Sequence, residues 1–316
     1  MNQVKRKTSR MSRVGPQPSS NGNGAVEHQT PARLPVLKTY KIFVGGKFPR
    51  TESGRYYVLK NASGQPLANI CDCSRKDFRD AVLAARGAQS AWGSRAPFNR
   101  GQILYRIAEM LEGRSAQFVE ELVSMGTATA AAKVEVQASV DRWLYYAGWA
   151  DKYQQVFSSV NPVSSSHFNF SVLESTGVVA AFAPEKTGLV GLTSILAPAI
   201  AGGNTVIALA SHDRPLSAVT LAEVLATSDL PGGVINLLTG KRSELIEHFA
   251  SHMDVNAFVY CGSDVEEKKA AAARCAGNVK RFVQYDRQDW LAGAAQSPYM
   301  ILDLQEVKTT WHPIGI

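Results

Sequence analysis

Residues 176–210 read TGVVAAFAPEKTGLVGLTSILAPAIAGGNTVIALA. Two apolar runs of strand length flank one segment of helix length, and Gly or Pro marks each change. The same rhythm continues to Ser263, so the spacing predicts strands at Val178–Ala183, Asn204–Ala208, Val234–Leu238 and Ala257–Tyr260. These runs are rich in Val, Ile, Phe and Tyr and nearly free of charge, as strands covered on both faces must be. Helices are expected between them, one from near Thr187, one with Pro215 in its first turn and one from about Ser243. This alternation predicts an α/β fold, a doubly wound, Rossmann-like parallel sheet with flanking helices. Thr187–Ala210 is uncharged and long enough to suggest a membrane span. Pro198 and the Gly202-Gly203-Asn204 turn divide it, and a buried helix followed by a buried strand is the better reading.

Upstream, KIFV, Gly45-Gly46 and KF predict a hairpin, followed by an extended run at Tyr56–Leu59. Ser74 with Asp77 three residues on reads as a helix start, and Asn99 with Gln102 as a second. Ile103, Leu104, Ile107 and Leu111 share one face of that second helix. A longer helix from Glu135 to about Lys152 carries Trp143, Tyr145, Tyr146 and Trp149, an aromatic cluster that reads as core. After Tyr153 the chain turns polar, and the alternation of Phe168 and Phe170 suggests a projecting hairpin.

The 316 residues are 45% hydrophobic, enough for a full core, and the net charge is +7. Most of that charge lies at the front, where Lys5, Arg6, Lys7, Arg10, Arg13, Arg33 and Lys38 face only Glu27. Residues 1–37 are poor in apolar side chains and are expected to be a disordered, solvated arm with neither nucleic-acid nor membrane partners. The cysteines Cys71, Cys73, Cys261 and Cys275 lack the spacing of a zinc or thioredoxin site, which favours inert thiols and a reducing cytoplasm. His248 and His252 stand at i and i+4, but Phe249 takes the place where a zinc protease carries its Glu, so no metal site is expected.

Three segments, APAIAGGNTVIALASHDRPLSA (197–218), SDLPGGVINLLTG (228–240) and FVYCGSDVEE (258–267), resemble the coenzyme-binding half of the aldehyde dehydrogenase superfamily. The likeness extends upstream through NASGQPLANICDCS and LYYAGWADKY. It is closest to the degenerate second module of two-module aldehyde dehydrogenases. Tested residue by residue, the resemblance implies a loss of chemistry. Pro184-Glu185-Lys186-Thr187-Gly188 stands for the family's PWNFP turn, with Lys186 at the oxyanion-stabilising Asn. Leu209 and His212 stand for the Lys and Glu that hold the adenosine ribose. Gly262 and Ser263 remain as cofactor-binding remnants, while Glu267 replaces a Gly. Tyr285 takes the position of the general-base Glu, no cysteine follows Cys275, and LDLQEVKTTW (302–311) resembles the family's C-terminal strand.

The implied organisation is a coenzyme-binding-type domain at 38–152 and 175–301, oligomerisation strands at 153–174 and 302–316, and no catalytic domain. The implied function is a non-catalytic subunit with no catalytic residues and no expected cofactor. It would assemble with a catalytic aldehyde dehydrogenase or with itself. The other readings are an oxidoreductase component completed by another chain and a degenerate nucleotide-binding module.

Overall fold

The computed structural model describes residues 36–286 and 288–315, and its compact unit runs from Leu37 onward. The arm expected at 1–37 lies almost wholly outside the described residues. A small sheet comes first, with β1 (Thr39–Tyr40), β2 (Tyr56–Lys60) and β3 (Pro66–Cys71) in the order β1-β3-β2. The expected hairpin at KIFV forms, but as a short one: Val44 and Lys47 exchange backbone hydrogen bonds at 3.0 Å across Gly45 and Gly46, both at positive φ, Ile42 N–H donates to the Pro49 carbonyl at 3.2 Å, and Phe43 bridges antiparallel to Leu237.

Four helices follow, α1 (Arg75–Gly93), α2 (Pro97–Glu112), α3 (Ser115–Ser124) and α4 (Thr129–Trp149). At the start of α1, Ser74 and Asp77 form the expected reciprocal capping box. α2 begins earlier than expected, because Pro97 supplies the first turn with its fixed φ, and Asn99 lies inside the helix. Ile103, Leu104, Ile107 and Leu111 are buried as their spacing requires, and so are Trp143 and Tyr146 of α4.

The chain continues through α5 (Tyr153–Phe157), β4 (Ser159–Asn161) and β5 (His167–Ser175) into the central alternation. That alternation comprises β6 (Val178–Phe182), α6 (Val190–Ala201), β7 (Thr205–Leu209), α7 (Leu216–Ala226), β8 (Ile235–Leu238), α8 (Arg242–Ser251), β9 (Ala257–Tyr260), α9 (Val265–Ala276) and β10 (Arg281–Gln284). The five strands pair in parallel in the order β10-β9-β6-β7-β8. Successive side chains of a strand point to opposite faces. Val179, Ala181, Val206 and Ala208 accordingly join the core that holds α2, α4, α6 and α7, while Val178, Ala180, Phe182 and Ile207 join the one that holds α1, α8 and α9. The predicted doubly wound sheet is the one observed.

After β10 the chain makes a single 3-10 turn at Gly293–Ala295, then α10 (Tyr299–Leu302) and β11 (Gln305–Pro313). β11 pairs antiparallel with β5 from Gln305 opposite Ser175 to Pro313 opposite His167, completing the sheet β11-β5-β4. The stretch expected to project as strands from Tyr153 therefore opens with a helix, and the terminal strand starts at Gln305 instead of Leu302. Among the described residues, no helix is long and apolar enough to cross a membrane.

Candidate functional site

From β6 the chain winds to β7 and β8 on one side, then returns to place β9 and β10 on the other. Loops leaving the carboxyl ends of β6 and β9 therefore diverge, and a crevice opens between them, the place where open α/β sheets receive ligands. It measures about 730 Å³ and is lined by Pro184–Lys186 after β6, Arg242 at the start of α8, Cys261–Asp264 after β9, and Tyr285 and Trp290 after β10. Gly262 and Ser263, expected at a cofactor site, do line it, and the Ser263 hydroxyl makes no hydrogen bond among the described residues.

Arg242 dominates the crevice. Its Nη2 donates to the carbonyls of Ala183 and Cys261, both at 2.6 Å, so it clasps the ends of β6 and β9 together. Its Nε lies 3.0 Å from Oε1 of Glu185, and the guanidinium stacks over Phe182 and Tyr260. Glu185 is fixed in turn, accepting from the Ser211 hydroxyl at 3.0 Å and the His212 backbone N–H at 2.8 Å. A Cβ on Gly262 would lie 2.6 Å from the Tyr260 hydroxyl oxygen and 2.8 Å from Nη1 of Arg242, so those two side chains fill the space over this glycine. Tyr260 donates to Oε1 of Glu267 at 2.8 Å, and burial together with that carboxylate pushes its hydroxyl pKa up.

Other positions weighed from the sequence fall differently. Leu209 is buried inside β7 and does not reach the crevice. His212 stacks on Tyr57 at 4.4 Å, with Nδ1 3.2 Å from the Gly240 carbonyl oxygen. His248 and His252 are not a ligand pair: His252 caps the end of α8 and packs edge-on against Phe78. Among the described residues, no group of three or more His, Cys, Asp or Glu is arranged around a metal site. Tyr285 donates its hydroxyl to Oδ2 of Asp303 at 2.7 Å, and burial followed by that carboxylate pushes its pKa up. All four cysteines are buried and free, and burial raises the thiol pKa of Cys73, Cys261 and Cys275, away from the nucleophilic thiolate.

Sequence reasoning passed over two groups that shape this region. Arg242 is one, signalled by two basic residues directly after Gly240 at the end of a strand. Glu135 is the other, and its Oε1 accepts from the backbone N–H groups of Leu189 at 2.7 Å and Val190 at 3.3 Å, at the start of α6. No local pattern announces that contact, because its partners lie more than fifty positions away.

The profile of the aldehyde dehydrogenase family matches residues 48–285. Cytosolic 10-formyltetrahydrofolate dehydrogenase of Xenopus tropicalis is 31% identical over 254 residues, covering 78% of this chain and 28% of that protein. Retinal dehydrogenase 2 of Homo sapiens is 30% identical over 262 residues, covering 80% of this chain and 50% of the relative. The chain thus spans half or less of the length of these two relatives. Among solved structures, the NAD+ complex of an aldehyde dehydrogenase from Bacillus cereus superposes with a TM-score of 0.75 at 25% identity, over 79% of this chain and 51% of that one. That complex overturns the expectation that no cofactor attends this fold. The departures at Leu209, His212 and Glu267 imply a lost site, yet a similar fold holds NAD+. The residues present here fit such a group in place and in size, since the crevice lies at the switch point and Gly262 and Ser263 precede a helix N-terminus.

Proposed function

Because the chain belongs to the aldehyde dehydrogenase family, we propose that it serves as a non-catalytic subunit of that family, with a structural or regulatory role in an assembly and a crevice that takes a nicotinamide dinucleotide. The dinucleotide would supply hydride-transfer chemistry, but aldehyde oxidation also needs a thiolate to attack the carbonyl and a base to activate water. One observation carries the reading. The family match ends at residue 285, and the chain passes from β10 to β11 through only residues 285–304, a stretch without cysteine whose leading side chain, Tyr285, is tied to Asp303. Tyr285 is therefore a pin between β10 and the turn before β11. It holds a proton where a base would have to accept one.

Within the crevice, Gly262 allows close approach of backbone to ligand, Ser263 offers a hydroxyl that is unpaired among the described residues, and Arg242 and Tyr260 must move off Gly262 for a ligand to settle there. Partners would be met through the β4, β5 and β11 sheet. The test is calorimetry with NAD+ and NADP+ on the purified full chain, alongside an assay for reduced nicotinamide with a panel of aldehydes. Dinucleotide binding without turnover is the expected result. Aldehyde-dependent reduction by this chain alone would overturn the reading.

A further inference from the structure

One wall of the crevice comes from a part of the chain that the family match does not cover. The match ends at residue 285, and Gln288 and Trp290, which line the crevice beside Tyr285, belong to the stretch that follows. Trp290 is only 5% exposed, and its ring meets that of Tyr285 edge to face, with centroids 5.9 Å apart and planes at 84°. That is a favoured geometry for an aromatic pair. The two rings form an apolar panel in a crevice whose other lining is mostly charged or polar, from Glu185, Lys186 and Arg242 to Asp264 and Glu267.

Arg142 holds this panel in place from α4. It is 2% exposed, and its Nη2 donates to the Trp290 carbonyl at 2.8 Å and to the Ala292 carbonyl at 3.3 Å. It forms no ion pair among the described residues, and its Nε and Nη1 have no hydrogen-bond partner there. Burying a guanidinium without a counter-ion is costly, and burial lowers the pKa of this one. What the charge does in return is grip two carbonyls that flank the crevice wall. One turn on, the Tyr146 hydroxyl donates to the Ser297 carbonyl at 3.1 Å, so α4 fixes the same stretch at a second point.

The polar group on this wall is an amide. Gln288 is half-buried, and its side chain makes no hydrogen bond among the described residues. A side-chain amide sets an acceptor oxygen beside a donor nitrogen. A primary carboxamide on a ligand presents the same two groups, and the pair can close two parallel hydrogen bonds. A carboxylate can close only one, because its second oxygen would face the oxygen of Gln288. An aromatic panel beside such an amide matches a planar ring that carries a carboxamide. Gly262 and Ser263, which precede the N-terminus of α9, offer a separate wall suited to phosphate.

We propose that Gln288 and Trp290 are ligand-contacting residues that select the carboxamide-bearing ring of a nicotinamide dinucleotide, and that Arg142 is the positioning residue that sets Trp290 against it. The proposal rests on the reading that the crevice takes such a dinucleotide, and it names the residues, outside the family match, that choose among close chemical relatives of that ligand.

The test is calorimetry on the full chain with three probes: NAD+, ADP-ribose, which lacks the ring, and nicotinic acid adenine dinucleotide, which carries a carboxylate for the carboxamide. NAD+ should bind about tenfold tighter than either of the others. Trp290→Leu should bring NAD+ down to the level of ADP-ribose and leave ADP-ribose unchanged, which also shows that the crevice is still folded. Gln288→Lys alters a half-exposed side chain and should reverse the preference in favour of the carboxylate. Arg142→Met should narrow the ratio of NAD+ to ADP-ribose affinity and reduce the quenching of Trp290 fluorescence by NAD+, and Arg142→Lys, which can still donate to both carbonyls, should restore part of each. Equal loss of both ligands in Trp290→Leu, or an unchanged preference in Gln288→Lys, would overturn the proposal, and a wild-type ratio in Arg142→Met would overturn the positioning role. Equal binding of NAD+ and ADP-ribose by the wild-type chain would sink this inference and leave the dinucleotide reading standing. A chain that binds none of the three probes would sink that reading and the inference with it.

Discussion

The Tyr285 hydroxyl donates to Oδ2 of Asp303 at 2.7 Å, joining the end of β10 to the turn that delivers β11. Hydrogen bonds to a charged acceptor contribute roughly 1.5–3 kcal/mol, and the half-buried setting puts this one near the lower end. Tyr285→Phe should therefore lower unfolding stability by about 1.5 kcal/mol, measured by urea denaturation. Tyr285→Glu places a carboxylate beside Asp303 and should still give no aldehyde oxidation, since no reactive thiolate accompanies it. An unchanged midpoint for Tyr285→Phe would mean that the pin carries no load.

Arg242 and Tyr260 occupy the space a ligand would need over Gly262, and Glu185 holds Arg242 there through an ion pair. Binding must break that ion pair and at least some of the bonds to the Ala183 and Cys261 carbonyls, so these contacts oppose binding by the amount they stabilise the free protein. Glu185→Gln, which leaves an amide oxygen for Ser211 and His212, should tighten NAD+ binding by about tenfold, the equivalent of roughly 1.4 kcal/mol. Arg242→Ala should act in the same direction at a larger cost in stability. Calorimetry reads the affinity, and weaker binding by Glu185→Gln would show that Arg242 helps to hold the ligand.

The contrast between those two sites shows what the sequence could carry. β6 to β9 were legible because buried parallel strands must be continuous apolar runs, and Val178–Phe182 and Ala257–Tyr260 are uncharged. Ser74 with Asp77 was legible as well, since a capping box is a local contact at fixed spacing. The start of α2 was misplaced because Asn99 and Pro97 both carry helix-start signals, and proline's fixed φ decided the outcome. Gly262 and Ser263 could be placed from a turn motif. Arg242 bridging Ala183 and Cys261 could not, because that geometry exists only once β6 and β9 are neighbours.

Lys280 is buried, and its ammonium donates to the carbonyls of Phe249, Ala250 and His252 at the C-terminal end of α8. Burial lowers its pKa from the ordinary 10.5 to about 8. Between those two values the unfolded chain binds more protons than the folded one, so stability rises with pH across the window and falls again as pH drops toward 8. Relative to Lys280→Met, the wild-type chain should gain about 1–2 kcal/mol from pH 8 to 10.5, less than the full shift would give because three backbone carbonyls take the place of water around the ammonium. Denaturation curves across that range check the sign, and a flat difference would refute it.

Val279 sits at φ 55° and is 93% exposed. A β-branched residue in the left-handed region is strained, and no burial offsets it here. Val279→Gly should stabilise the fold by about 1 kcal/mol, with the loss of unfolded-state restriction setting the upper limit. A lower melting temperature would show that the valine makes a contact worth more than its strain.

Glu135 reaches from α4 to the start of α6, where Oε1 accepts the Leu189 and Val190 N–H groups. Leu189 itself has no side chain that could cap this helix, and the Thr187 hydroxyl, buried beside Gly191, makes no hydrogen bond among the described residues. The first N–H groups of a helix need partners, and a carboxylate also meets the positive end of the dipole there. Glu135→Ala leaves two buried donors unpaired and should cost about 2–3 kcal/mol. Glu135→Gln keeps an acceptor oxygen and loses only the charge, so it should cost about 1 kcal/mol. Because the 184–188 loop runs directly into α6, the alanine variant should also loosen the crevice, visible as faster hydrogen exchange at the first turn of α6 and weaker dinucleotide binding. If Glu135→Ala unfolds at the same denaturant concentration as wild type, the N–H groups of Leu189 and Val190 have found other partners and this long-range cap does not hold the crevice wall in place.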